Sequence, residues 1–188
     1  GGRGMKVINN EKELNENFVI VKQEALSFFG NDEVYIEKFI NAPRHIEVQV
    51  IGDLHGNFVH LHERDCSIQR RNQKVIEEAL APGISPDEKS KLFETVINAV
   101  KQMGYLGLGT LEFLYHEGSF YFMEMNTRLQ VEHPITEMIT RIDLVREQIS
   151  LASGEKLSFD QSRISPLGHS IECRINAEDP STFAPSAG

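Results

Sequence analysis

The order of apolar and polar positions divides the chain into readable pieces. Residues 11–29 open on two glutamates and carry Phe18, Val21 and Ala25 at helical spacing, which predicts a helix that Gly30 stops. Val34 to Ile40 is β-branched and aromatic and predicts a strand, broken by Pro43. From His45 to Ile51 apolar and polar residues alternate strictly, which predicts a strand with one wet face; Phe58 to Glu63 alternate again and pair with it across a turn at 52–56. Residues 64–78 are crowded with charge and read as irregular. Ser85 is placed to cap a helix, with Pro86 in the first helical position and Glu88 three residues on, as in a capping box. That helix runs through Leu92, Val96, Val100 and Met103 to Gly104. Strands follow at 110–115 and 120–126, then one helix over 135–152 and a last strand at 170–175. Hairpins separated by helices predict an α+β fold, a mostly antiparallel sheet with flanking helices. They exclude the all-parallel sheet of a Rossmann domain.

Composition narrows the function more than the fold. The chain has 188 residues, 40% hydrophobic and 25% charged, which is ordinary for a soluble globular domain. A net charge of -9 argues against a nucleic-acid partner. Arg64, Arg70, Arg71 and Lys74 nevertheless form a local basic cluster able to take a small anion, or else a solvated loop. No apolar run approaches the roughly 20 residues of a membrane span, and a signal peptide is not expected. A cytoplasmic protein without a membrane partner is expected. Cys66 and Cys173 lie far apart and in no CxxC pair, so neither a structural zinc site nor a disulfide is expected. His60 and His62 share a strand face but lack a third ligand. The glycine-rich start, Gly1-Gly2-Arg3-Gly4, and the stop after the loop-like stretch 180–185 read as cuts in a longer chain.

The hairpin at 110–126 carries the candidate chemistry. A turn centred near Gly118 sets Glu112 opposite Glu124, and like charges facing across strands are destabilising without a cation or a shared proton. Alternation puts Phe122, Glu124, Asn126 and Arg128 on one face and Tyr121, Met123 and Met125 in the core. Two carboxylates and an amide oxygen suit Mg²⁺ or Mn²⁺. A proton-sharing pair, as in glycosidases, and a plain charged strand are the alternatives. Beyond the strand, Glu132 beside Arg128 suggests an anion site with a base, or a surface salt bridge. The glycine-rich start could approach a phosphate or be a linker. Glu37, Lys38, Phe39 and Ile40 could border an adenine or simply end a strand.

Three runs, Arg64 to Val75, Glu124 to Pro134 and Glu172 to Asp179, resemble biotin carboxylase, the ATP-grasp component of acetyl-CoA carboxylase and related acyl-CoA carboxylases. The resemblance covers essentially the whole chain. It implies that ATP activates bicarbonate as carboxyphosphate and that the CO₂ released carboxylates N1 of biotin on a carrier protein. It implies an ATP-grasp fold truncated at both ends, with residues 1–39 ending the lid subdomain and 40–188 forming an incomplete C-terminal domain. Glu112 and Glu124 would hold two Mg²⁺ or Mn²⁺ ions, Asn126 joining at the second. Gly1, Gly2, Glu37, Lys38, Phe39, Ile40, His45, Gln69 and Asn72 would meet the nucleotide. Asn72 departs from the family, where some members have His. Lys74, Arg128, Gln130 and the Val131 backbone would hold bicarbonate, Glu132 would deprotonate it, and Arg174 would stabilise the biotin enolate. Arg128, Glu132 and Arg174 are the expected catalytic residues. Implied partners are a biotin carboxyl carrier protein, a carboxyltransferase and a second copy in a homodimer, in fatty acid biosynthesis. The piece alone is expected to be inactive. The alternatives are a non-catalytic nucleotide-binding module and another carboxyphosphate-forming ligase: the pyruvate or urea carboxylase branch, or carbamoyl-phosphate synthase.

Overall fold

The computed structural model describes residues 4–186. It separates into two units, the chain up to Asn41 together with Arg71–Gln73, and Ala42–Arg70 together with the chain from Lys74 on. In the first unit α1 (Glu11–Phe29) forms where the spacing predicts it. Asn10 caps it by accepting from the Glu13 backbone N–H, and Gly30 ends it at φ 72°, a left-handed conformation that suits glycine. The predicted strand at 34–40 does not form: residues 31–40 lie in no strand. Tyr35 and Ile36 are 83% and 78% exposed. Strand propensity measures packing on neighbouring strands, and this segment has no ladder to join.

The second unit is built on a six-stranded sheet in the order β5-β4-β1-β2-β3-β6. Its strands are β1 (Arg44–Gly52), β2 (Phe58–Arg70), β3 (Gln73–Ala79), β4 (Gly107–His116), β5 (Ser119–Asn126) and β6 (Ser170–Cys173). The registered pairs β1–β2, β1–β4, β3–β6 and β4–β5 are all antiparallel. The charged stretch 64–78, read as irregular, is instead the end of β2 and most of β3. They join through Arg71 and Asn72, both at positive φ (53° and 61°), as a tight two-residue hairpin requires.

Helix α2 (Pro86–Met103) starts with the predicted capping box between Ser85 and Glu88 and ends at Gly104. Its Leu92, Val96 and Val100 pack on Ile46, Val48, Val50, Leu111 and Phe113, the apolar face of β1 and β4. The single helix expected over 135–152 is two, α3 (His133–Thr140) and α4 (Leu144–Ala152). Arg141 turns left-handed at φ 61° and Asp143 then caps α4, accepting from the Arg146 N–H, so the chain restarts in a new direction. Leu144 and Leu151 of α4 cover Ile51, Val59, Leu61 and Leu108.

The β4–β5 hairpin contains an offset. Its turn is Glu117-Gly118, with His116 opposite Ser119 and Phe113 opposite Phe122. That register alone would set Glu112 against Met123. A bulge at Met123 shifts the pairing by one, so Glu112 faces Glu124 and Leu111 faces Met125. The same bulge reverses the alternation. Phe120 and Met125 pack on the core, whereas Met123, expected in the core, is 46% exposed. Tyr121 is only partly buried and is not part of that core.

Candidate active site

Alternation along β1 sends Ile46, Val48 and Val50 to the α2 side and His45, Glu47 and Gln49 to the other. The polar side was expected to be wet, but Glu47 is 0% and Gln49 1% exposed. Glu47 lies opposite Glu112 on β4 and opposite Arg64 on β2. Glu47, Glu112 and Glu132 are buried and converge on one ammonium. Lys74 Nζ donates to Glu47 Oε2 at 2.5 Å, to Glu132 Oε1 at 2.6 Å and to Glu112 Oε1 at 3.0 Å.

The electrostatics follow from that convergence. Burial alone would lower the Lys74 pKa, but the surrounding carboxylates, Glu47 foremost, hold it well above the usual lysine value. Burial likewise pushes Glu112 up, but the His45 hydrogen bond and the Lys74 charge outweigh it and bring Glu112 down to about 2. Burial also raises Glu132, and Lys74 again wins, so that carboxyl too is held low. His45 Nε2 lies 2.6 Å from Glu112 Oε2. Gln69 donates from Nε2 to the Cys66 carbonyl at 2.9 Å and stands 3.1 Å from His45 Nδ1. An amide nitrogen only donates, so Nδ1 is the acceptor of that contact.

The arginine beside Glu132 is not the expected one. Arg128 is exposed and bonds from Nη1 to the Leu129 carbonyl at 3.3 Å. Arg174 takes the place instead, donating from Nη2 to Glu132 Oε2 at 2.9 Å and from Nε to Glu77 Oε1 at 2.6 Å. Glu132 is thus held between an ammonium and a guanidinium. Glu77 is fully buried, and that burial raises its pKa against the pull of Arg174. Gln130 is buried in the same cluster, whereas Val131 is 60% exposed.

At the hairpin, Asn126 Nδ2 donates to Glu112 Oε1 at 2.8 Å and to Glu124 Oε1 at 3.1 Å. Two facing carboxylates joined by an amide, with Glu124 open to solvent, form a hard-oxygen set whose chemistry fits a small divalent cation. Asn126 now presents its nitrogen; its oxygen is the atom a cation would take. One possible ligand atom from each of His45, Glu47 and Glu112 also lies within 4.8 Å of the other two.

Glu37, Lys38, Phe39 and Ile40 lie in the extended segment of the first unit, and Phe39 is 62% exposed. Asn72 is a turn residue of the β2–β3 hairpin. Gly1 and Gly2 lie outside the described residues. The basic cluster dissolves. Arg64 is fully buried on Glu47, Lys74 sits among carboxylates, and Arg70 grips both oxygens of Glu178 (2.6 and 2.7 Å) with Phe183 against its guanidinium. His60 stacks on Phe93 of α2 at 4.0 Å. Cys66 is buried and Cys173 exposed, and both are free thiols. Among the described residues no helix is long and apolar enough to cross a membrane. Sequence reasoning missed Glu47, Arg64 and Glu77. For Glu47 the signal available was a charged residue inside an alternating strand, which reports a polar face and not whether that face is covered; Arg64 and Glu77 fell in a stretch read as irregular.

The six-stranded antiparallel sheet that carries these carboxylates is of the ATP-grasp type, as its likeness to known proteins shows. The family model for the carbamoyl-phosphate synthase L chain ATP binding domain matches residues 1–160, and the chain belongs to that family. Within it, the biotin carboxylase of Haemophilus influenzae is 56% identical over 188 residues, which take in 100% of this chain and 42% of that protein. The crystal structure of a biotin carboxylase–β,γ-ATP complex from Campylobacter jejuni superposes with a TM-score of 0.93 at 52% identity, covering 98% of this chain and 42% of that one. The biotin carboxylase domain dimer of Hydrogenobacter thermophilus 2-oxoglutarate carboxylase, solved with MgADP, ADP and bicarbonate, gives 0.92 at 51% identity over 98% and 41% of the two chains. The chain therefore spans well under half the length of these relatives.

Proposed function

We propose that this chain is the central part of a biotin carboxylase, which uses ATP and bicarbonate to carboxylate biotin on a carrier protein. The observation that carries the reading is Glu132, a buried carboxylate between Lys74 and Arg174. Two cations converging on one carboxylate form a site that a second small anion can enter by sharing the cations. With its cations shared, Glu132 recovers basicity and takes the proton of bicarbonate. Lys74, Gln130, Arg128 and the Val131 backbone hold that anion. Arg128, exposed at the start of this loop, and Arg174 face the biotin step, where Arg174 steadies the developing enolate. Glu112, Glu124 and Asn126 hold the divalent ions, Mg²⁺ or Mn²⁺, which when bound neutralise charge on the ATP phosphates.

The finer assignments rest on the same reading. Gly1, Gly2, Glu37, Lys38, Phe39, Ile40, His45, Gln69 and Asn72 meet the nucleotide. Residues 1–39 end the lid and 40–188 belong to the C-terminal ATP-grasp domain. The biotin arrives on a biotin carboxyl carrier protein, a carboxyltransferase passes the carboxyl group to an acyl-CoA, and the enzyme is a homodimer in the cytoplasm that supplies fatty acid synthesis.

The test is ATP turnover by the full-length protein. Turnover requires bicarbonate and is stimulated by free biotin, and Arg128→Ala removes about 10²-fold or more of the biotin-dependent rate. An Arg128→Ala protein with that rate intact defeats the assignment. The family model's own description favours one rival, a ligase that makes carboxyphosphate without biotin. Bicarbonate-dependent turnover indifferent to biotin would select it.

A further inference from the structure

We propose that Arg64 is a positioning residue: its buried guanidinium fixes which way the Gln130 amide faces and so ties the anion-binding loop to the carboxylate Glu112. The proposal rests on the reading of Gln130 as a bicarbonate ligand. Arg64 is 0% exposed, and its N–H groups are spent inside the protein. Nε donates to Glu47 Oε1 at 2.5 Å, Nη1 to Gln49 Oε1 at 2.7 Å and Thr136 Oγ1 at 2.9 Å, and Nη2 to Gln130 Oε1 at 3.0 Å and, at a longer 3.4 Å, to Thr110 Oγ1. One planar fork thus joins β1, β4, α3 and the loop after β5.

Gln130 stands between Arg64 and Glu112. Its Oε1 receives Arg64, and its Nε2 donates to Glu112 Oε1 at 2.7 Å. A guanidinium only donates and an ionised carboxylate only accepts. Turning the amide over would set NH₂ against the guanidinium and oxygen against the carboxylate, losing two charge-assisted bonds at once. The amide therefore has one orientation, with its NH₂ on the carboxylate side. A lysine at position 64 would keep the charge beside Glu47 but could not span these acceptors, because an ammonium on a flexible stem is a single point.

The test uses the full-length protein. Arg64→Lys raises KM for bicarbonate about tenfold or more, and raises it more than KM for MgATP. Gln130→Ala raises the same constant, and the pair Arg64→Lys/Gln130→Ala is no worse than Gln130→Ala alone, because the first acts through the second. An unchanged KM for bicarbonate in Arg64→Lys, or penalties that multiply in the pair, overturns the proposal. Should Arg64→Lys not fold, Thr136→Val carries the test by freeing one Nη1 bond. A rise of about twofold or more in that KM supports the proposal and no rise overturns it. A wild-type protein without bicarbonate-dependent turnover defeats the underlying reading instead, and hydrogen exchange of the Gln130 side-chain NH₂ then decides. Faster exchange in Thr136→Val supports the role of Arg64, and equal exchange overturns it.

Discussion

The two faces of β1 and β4 are buried alike and built from opposite materials. On one, Ile46, Val48, Val50, Leu111 and Phe113 meet α2. On the other, one residue out of step, Glu47, Gln49, Thr110 and Glu112 meet Arg64, Lys74 and Gln130, and every one of those four strand residues is less than 5% exposed. The apolar face gains free energy piecemeal, in proportion to area removed from water. The charged face gains nothing piecemeal. Each ion there loses its hydration, and only the complete set of partners offsets that loss. One face tolerates small changes in proportion to their size; the other is close to all-or-none.

Lys74→Met is the largest expected break in that contrast. It leaves Glu47, Glu112 and Glu132 facing one another without their shared cation, and removal of one member of a buried ionic set costs about 3–5 kcal/mol. Urea denaturation near pH 7.5 measures it. The loss shrinks as pH falls, because the orphaned carboxylates then bind protons and stop repelling. Ile46→Val, on the other face of the same strand, costs about 0.5–1.5 kcal/mol. That smaller loss is flat with pH, since no titrating group is involved. Equal pH slopes for the two variants would mean that the charged face is solvated and the contrast is false.

Much of this was readable in advance, for identifiable reasons. The capping box at Ser85 and Glu88 is a local signal, and α2 starts there. The opposition of Glu112 and Glu124 was also anticipated, but through an offset that was not: the two-residue turn displaces the register by one and the bulge at Met123 restores it. A bulge depends on neighbouring strands and leaves no mark in the residue types around it. The same blindness put Tyr121 and Met123 in the core. Alternation told correctly that His45, Glu47 and Gln49 share a face, but not that α3 and the loop at 127–132 would cover it. Arg64 therefore looked like a surface cation. The segment 34–40 had strand chemistry and no strand to pair with, and the break at Arg141 carries neither glycine nor proline to announce it.

The smallest expected effect tests whether buried ionisable groups away from the cluster behave in the same way. His60 lies on β2, stacked on Phe93, with the His62 ring 5.4 Å away and its backbone bonded to Gln161 on both sides. Burial first, and then the neighbouring His62, lowers its pKa to about 4. The folded protein therefore keeps this imidazole neutral, whereas the unfolded chain binds a proton near pH 6.5. Below pH 6.5 the unfolded state takes up a proton that the fold refuses, so stability falls with pH until about 4, where the folded state begins to bind it as well. Glu112 contributes in a different window. Its pKa is held at about 2, so its stabilisation is complete above about 4.5 and is lost only as pH drops from there toward 2. His60→Leu should leave stability at pH 7.5 within about 1.5 kcal/mol of the parent and lessen the slope between pH 6.5 and 4, of which His62, its pKa also lowered by burial, keeps a part, with the fall below pH 4.5 unchanged. Denaturation midpoints at half-unit pH steps separate the windows. A His60→Leu protein that keeps the full slope from pH 6.5 to 4 would assign that loss to other groups, and would confine the cost of unpaired burial to the cluster around Lys74.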